Sequence, residues 1–376
     1  MKLNTLNIHY GGGQHVSLAD VQKIKAMGFN GIRVHIYWGL IQPSGPTSIN
    51  SAYFTAYHEP LGASLDQLVN WCVANNLYII LNPTFTQTWS YPSWFSGNVG
   101  DYAATQKILD NVNGAQDGID YMYEWMANHY ATVPNVVWEG FNEMGVSDAS
   151  YGGSKFGAFN VRWVTAIERG EQSGGGQSHL KIIEYLMYGG AYVEIFNPEG
   201  GCNRPNVMWA PHNYAPMHEW DPSGPEGVAY VQSRIHADTY AQTQWGQPVL
   251  STEWSKDTGQ AQWQLFFTTV LNAFKTEGFV GWSFWCYCSN PNAESVYTAP
   301  GSGAWNLNNP SLYAQIYPIL EPYLADQPVP ILLTVLSNVE VPVTVDGQPV
   351  GNTPATVQVE PGVQHTVSVP PEITVD

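Results

Sequence analysis

Charge is what this 376-residue chain has least of: Asp, Glu, Lys and Arg together make up 12% of it, about half the share usual in a globular protein. Basic residues are rarer still, 13 against 31 acidic, for a formal net charge of −18. That balance repels phosphate backbones and anionic lipid, which excludes nucleic-acid and membrane-surface roles. No apolar run reaches the roughly 18 residues of a membrane-spanning helix, so membrane insertion is not expected. The start, MKLNTLNIHYGGG, lacks the apolar core of about 7–15 residues of a secretory signal. Composition nevertheless favours an extracellular or cell-surface protein whose signal has been removed. The four cysteines, Cys72, Cys202, Cys286 and Cys288, are too few and too scattered for a disulfide framework. The Cys286/Cys288 spacing fits neither a zinc knuckle nor a redox CxxC pair. No metal and no cofactor are expected.

Aromatic rings are in surplus, with 15 Trp, 22 Tyr and 13 Phe. They bury enough apolar area to offset chain entropy, so disorder is excluded. A surface poor in charge but rich in Asn, Gln, Ser, Thr and Trp suits uncharged, polyhydroxylated ligands, and carbohydrate is the first expectation.

Eight apolar, β-branched or aromatic runs recur along the chain, at 5–10, 31–38, 77–82, 135–142, 180–187, 206–214, 248–254 and 279–287. Helical segments are expected between them at 17–28, 62–76, 116–131, 155–170, 228–245 and 260–277, with a short one near 189–197 and a last one over 311–324. Ser17 reads as the cap of the first and Gly28 as its stop. Eight runs apolar throughout, each followed by a helix, describe an α/β protein with a closed parallel (β/α)₈ barrel. A doubly wound sheet is the alternative, but neither GGG run, at 11–13 or 174–176, continues into a phosphate-binding pattern. The barrel domain is assigned to 1–325. From 326 to 376 the chain alternates strictly at VEVPVTV, TVQVE and HTVSV, with turn signals at DG, GNTP and EPG. This predicts a small antiparallel β module, sandwich-like and free of helix.

In a barrel the loops after strand ends build the functional face, and four of these are long: 39–61, 83–115, 143–154 and 286–310. Few ionisable residues stand at strand ends. Glu143 closes the fourth run (WEGFNEM) and Glu253 the seventh (LSTEW). A carboxylate after an apolar run is costly without a partner. Two of them at one mouth are the minimum apparatus for glycoside hydrolysis. Glu139, four residues before Glu143, is expected deeper in the barrel or on the other face and is the alternative functional carboxylate. Arg33 lies within GIRVHIYW and is one of five arginines. Its guanidinium needs carboxylates or carbonyls, and Glu253 is the expected partner. Asn142 can offer its amide to a sugar hydroxyl. His212 and Tyr214, one residue apart, share a strand face and can bond the nucleophile or a sugar. Trp38, Trp89, Trp94, Trp220, Trp254 and Trp285 fall on or just after strand ends and are expected to line sugar subsites of an open groove.

WEGFNEM, APHNY, LSTEW, GWSFW and GIRVHIYW together resemble the clan A glycoside hydrolases, most closely the family 5 cellulases and mannanases, over residues 5–324. The resemblance implies Glu143 as acid/base, Glu253 as nucleophile and Asn142 at the sugar 2-hydroxyl. It also implies Arg33 and Tyr214 bonded to the nucleophile, His212 lining the cleavage subsite and Trp285 as its floor. The family usually carries a histidine just past the third strand, whereas this chain has LNPTF, with Asn82 and Thr84 where an acidic residue and that histidine would fall. A divergent subfamily is the expectation. The reaction implied is retaining hydrolysis within a β-1,4-glucan by double displacement, with β-mannan or another β-glycan as the alternative. A non-catalytic sugar-binding barrel is the alternative from another class. The tail resembles the PEGA repeat, which implies packing or anchoring at the cell surface. It has no aromatic residue after Tyr323, so sugar stacking is not expected there. A monomer acting on polysaccharide is the expected state.

Overall fold

The computed structural model describes residues 2–8, 16–58, 62–84, 91–95, 101–151, 153–188, 191–192, 203–214, 225–255, 262–285, 310–324, 331–335, 341–353, 355–359 and 366–370. One compact unit spans Asn4–Leu324, and a second comprises Ala325–Asp376 with Met1–Leu3.

The first unit alternates strands and helices. They are β1 (Leu3–Ile8), α1 (Leu18–Ala26), β2 (Gly31–Tyr37), α2 (Leu65–Ala74), β3 (Tyr78–Thr84), α3 (Ala115–His129), β4 (Val136–Glu139), α4 (Ser154–Ser173) and β5 (Leu180–Glu184). Next come β6, in two segments Val207–Ala210 and His212–Tyr214, then α5 (Pro225–Ala237), β7 (Ser251–Ser255), α6 (Trp263–Thr276), β8 (Gly281–Phe284) and α7 (Pro310–Leu324). The sheet runs from the second segment of β6 through β7, β8, β1, β2, β3, β4 and β5 to the first segment of β6. Because one strand supplies both ends, split at Pro211, the sheet closes on itself as a (β/α)₈ barrel. The registered neighbours are parallel, for example Arg33 beside Ile80 and Glu253 beside His212.

Local chemistry sets the boundaries. Ser17 and Asp20 exchange side-chain and backbone bonds in a capping box at the start of α1, and Gly28 turns the chain out of it at φ +92°. Ser64 accepts from the Gln67 amide at 3.1 Å and caps α2. Cys72 on α2 is a buried thiol; the other three cysteines lie outside the described residues. The main apolar cluster joins the outer faces of the strands to the inner stripes of the helices. Side-chain parity does the sorting: on β2, Val34 and Ile36 face the helices, which leaves Arg33 and His35 to the lumen.

The structure differs from expectation after β5. The stretch expected as helix near 189–197 lies mostly outside the described residues. Its described part, Ala191–Tyr192, is a strand paired antiparallel with Met187–Tyr188, which in turn pairs with Gly145–Val146. Gly145 is required there, since a Cβ would lie 2.2 Å from the Tyr102 ring.

In the second unit Ile331–Val335 pairs antiparallel with Ala355–Val359, and Pro342–Val345 pairs with both Gln348–Asn352 and Val367–Ser368. The DG turn joins the first two of the latter set with Asp346 at φ +52° and Gly347 at φ +77°, the backbone of a tight hairpin turn.

Candidate active site

Seven strands, β1 to β7, deliver polar side chains to the C-terminal mouth of the barrel, and Arg33 is their hub. All five guanidinium donors are engaged. Nε meets Glu139 at 2.6 Å; Nη1 meets Glu253 at 2.6 Å and Asn7 at 2.9 Å; Nη2 meets Asn142 at 2.8 Å and Glu184 at 3.0 Å. Asn7 is steadied in turn by its own amide, which donates to the Thr252 carbonyl at 2.9 Å. Burial alone would weaken the proton on Arg33, but the charges of Glu139, Glu253 and Glu184 outweigh it and raise its pKa.

Glu253 sits on β7 with both oxygens held. Arg33 bonds Oε1, and the Tyr214 hydroxyl donates to Oε2 at 2.6 Å. The expected Arg33 and Tyr214 partnerships are therefore present. Glu143 lies just beyond β4, about one-third exposed, and its Oε1 is 3.0 Å from His212 Nδ1. The same His212 nitrogen is 3.5 Å from Glu253 Oε2. One oxygen of Glu143 and one of Glu253 lie within 4.8 Å of each other. Asn142 turns its Oδ1 to Arg33, which directs its NH₂ the other way. Trp285 is half-buried, with its ring edge-on to His35 at 5.7 Å.

Glu143 has a left-handed backbone, φ +50°, a conformation that costs a non-glycine residue about 1–3 kcal/mol. Its N–H donates to Glu184 Oε2 at 2.7 Å, a short bond that offsets part of the strain. Glu184, at the end of β5, is 4% exposed. Its Oε1 accepts from Arg33 and from Asn82 Nδ2 at 3.1 Å. Burial is the main reason its pKa rises to about 8; Glu139 pushes the same way, against the charges of His212 and Arg33. His212 faces it across 3.5 Å. Burial pulls His212 down, but Glu253, Glu184 and Glu143 together carry it up to about 9. Each holds its proton more tightly than it would in water.

Glu139, Glu184 and His212 present ligand atoms within 4.8 Å of one another, as do Glu143, His212 and Glu253. Arg33 already bonds Glu139, Glu184 and Glu253, so a fixed organic cation stands where a metal would have to compete.

Two expectations are corrected. Trp38 and Trp254 are both fully buried and cannot stack on sugar. Trp38 packs on Trp94, Phe95 and Phe141 and donates its indole N–H to Gln42 at 2.7 Å. Trp254 packs on Phe267, Phe274, Trp282 and Phe284. Each shares strand parity with helix-facing residues: Trp38 follows Val34 and Ile36, and Trp254 adjoins the inward Glu253. Trp94 is also packed, its indole bonded to the Gln42 carbonyl at 2.8 Å. Trp89 and Trp220 lie outside the described residues. Glu139 is the deep carboxylate under the mouth, as its position four residues before Glu143 implied. Asn7, His35 and Glu184 are site residues that sequence reasoning passed over. Two signals were there: His35 has the parity of Arg33, and Glu184 ends an apolar run (LKIIE) just as Glu253 does.

The family model for cellulase, glycosyl hydrolase family 5, matches residues 1–291. No curated protein is detectably similar in sequence. Among solved structures, a Thermotoga maritima Cel5A in complex with mannotriose is 14% identical, with a TM-score of 0.61 over 83% of this chain and 97% of that one. A broad-specificity endoglucanase from Clostridium acetobutylicum is 16% identical, with a TM-score of 0.62 over 86% of this chain and 97% of its own. An endogalactoceramidase is 18% identical, with a TM-score of 0.60 over 77% and 71%. At these identities the structures share the fold, and the family match carries the assignment: the chain belongs to glycosyl hydrolase family 5.

Proposed function

We propose that this hydrolase is a retaining, endo-acting β-1,4-glucanase in which Glu253 is the nucleophile and Glu143 the acid/base. The observation that carries the reading is the pair itself: one carboxyl oxygen of each lies within 4.8 Å of the other, the close approach expected of a retaining pair, whose carboxyl groups stand about 5–5.5 Å apart. Glu253 is held at both oxygens, by the Arg33 guanidinium and the Tyr214 hydroxyl, which aims it at the sugar. It attacks the anomeric carbon and forms a glycosyl ester as the C–O bond to the leaving sugar breaks. Glu143 gives its proton to the departing oxygen. Glu143 then takes a proton from water, the hydroxide attacks the same carbon, and Glu253 is released as carboxylate. His212, bonded to Glu143 and close to Glu253, holds positive charge between the two. The NH₂ of Asn142 is available to the sugar 2-hydroxyl, and Trp285 forms the floor.

Glucan as substrate rests on the family match and on the endoglucanase neighbours. Mannan is the second reading, favoured by the mannotriose complex of the Thermotoga neighbour. A monomeric, secreted enzyme with a non-catalytic, PEGA-like anchoring tail completes the proposal. The test is reducing-sugar release from carboxymethylcellulose, barley glucan, glucomannan and linear mannan, side by side. Glucan cleavage supports the first reading, and mannan-only activity replaces it with the second.

A further inference from the structure

Strand β5 and the loop that carries Glu143 are laced together by backbone bonds, with one gap. Gly140 N–H donates to Ile182 O at 2.9 Å, and Met187 N–H donates to Met144 O at 2.8 Å. Between these two rungs Glu143 leaves strand geometry at φ +50°, and its N–H turns to a side chain. Glu184 fills the gap from its side chain, with Oε2 at 2.7 Å. The opposite oxygen, Oε1, takes bonds from Arg33 and Asn82, and Arg33 also grips Glu253. One carboxyl group thereby ties the backbone under the acid/base to the cation that holds the nucleophile. Asn82, which departs from the family pattern, donates from the same Nδ2 to the Gly140 carbonyl at 2.8 Å, at the root of the same loop.

We infer that Glu184 is a positioning residue for the acid/base, holding the left-handed turn at Glu143 so that its carboxyl stays over the leaving oxygen. The inference rests on the proposed roles of Glu143 and Glu253. It asks that both oxygens of residue 184 act as acceptors, which a carboxyl group does in either protonation state, because a hydroxyl oxygen keeps a lone pair where an amide NH₂ has none. Glutamine has one acceptor oxygen and one NH₂. Turned to Arg33 and Asn82, it meets the Glu143 N–H with a donor; turned to Glu143, it meets two donors with a donor. Glu184→Gln thus keeps volume and shape while breaking one side of the tie, and Glu184→Ala removes both.

A misplaced general acid hurts only when the leaving group needs a proton. The experiment compares kcat/KM for phenyl and 2,4-dinitrophenyl β-cellobiosides in the wild type, Glu184→Gln and Glu184→Ala. The phenyl substrate should lose about 100-fold, the scale of general acid catalysis, and the dinitrophenyl substrate less than about threefold on the same basis. The ratio of the two is independent of how much enzyme is folded. Equal losses on both substrates, or no loss on either, overturn the inference, as does failure of both variants to fold, because a positioning residue leaves the barrel standing. A wild type that cleaves neither glycoside, nor any of the polysaccharides above, refutes the glycosidase reading itself, an outcome separate from the others.

Discussion

Strand β5 carries a buried charge near each end, and the two sites are built on opposite plans. At its start Lys181 donates to Glu171 at 3.0 Å, to the Ser178 hydroxyl at 3.2 Å and to the His179 carbonyl at 2.9 Å. Glu171 also accepts from the His179 backbone and ring, both at 3.0 Å. One lysine meets one carboxylate, and every lysine proton has an acceptor. At the other end one arginine faces Glu139, Glu184 and Glu253, with Glu143 close by through His212. The lower cluster is balanced and the upper one is overloaded with carboxylate. In a barrel, buried charge at the N-terminal face serves stability and buried charge at the C-terminal face serves chemistry; the difference in balance expresses this in residues.

Removing the proposed nucleophile should separate the two most sharply. Glu253→Ala is expected to lower turnover of the preferred glycan by about 10⁴-fold or more, while relieving carboxylate crowding and leaving the melting temperature close to wild type. Reducing-sugar assay and calorimetry on the same preparation decide it. Full activity in the variant would end the assignment. In the lower cluster the effect reverses: Lys181→Met strands a buried Glu171, at a cost of about 3–5 kcal/mol, with kcat per folded molecule unchanged. Urea denaturation measures the loss, and a variant as stable as wild type would show that the pair is dispensable.

The two ends also answer pH in opposite senses. For Glu171 burial alone would raise the pKa, but bonds from His179 and the charge of Lys181 outweigh it and lower it. Its contribution is present above the ordinary carboxylate value of about 4.5 and is lost as pH falls. Glu184 is raised to about 8 and His212 to about 9. The native state holds these protons where the unfolded chain does not, so stability falls as pH rises from about 4.5 through 9. A melting-temperature profile should show two limbs. Glu171→Gln should flatten the acid limb alone and Glu184→Gln the alkaline limb alone; an alkaline limb unchanged by Glu184→Gln would remove the crowding argument.

How far the sequence reveals this depends on whether a residue acts through its charge or through its backbone. Glu143, Glu253 and Arg33 stand out because so few ions compete with them along apolar runs, and the barrel follows from eight such runs in order. Glu184 has the same signature in LKIIE, yet its use is invisible without knowing that Glu143 adopts a left-handed backbone, a state no residue type at that position announces. Asn7 and Asn82 are neutral and leave no charge pattern to follow. The aromatic residues are hard to place for another reason: proximity to a strand end does not amount to exposure, and alternation along the strand assigns Trp254 to the face opposite Glu253.

That alternation sets up the smallest and most selective comparison. Trp254 and Trp285 stand at the ends of neighbouring strands, joined by a bond from the Trp285 N–H to the Trp254 carbonyl at 3.1 Å. One is sealed among Phe267, Phe274 and Phe284 and the other is half-buried against His35. Trp254→Ala opens a core cavity and should cost about 3–5 kcal/mol of stability, with KM unchanged once the protein is folded. Trp285→Ala should leave the unfolding curve near wild type and raise KM by about tenfold, equivalent to about 1.4 kcal/mol of lost binding. Steady-state kinetics and urea curves on both variants separate the roles. A KM effect from Trp254 or a large stability loss from Trp285 would mean that parity along the strand does not divide core from site at this rim.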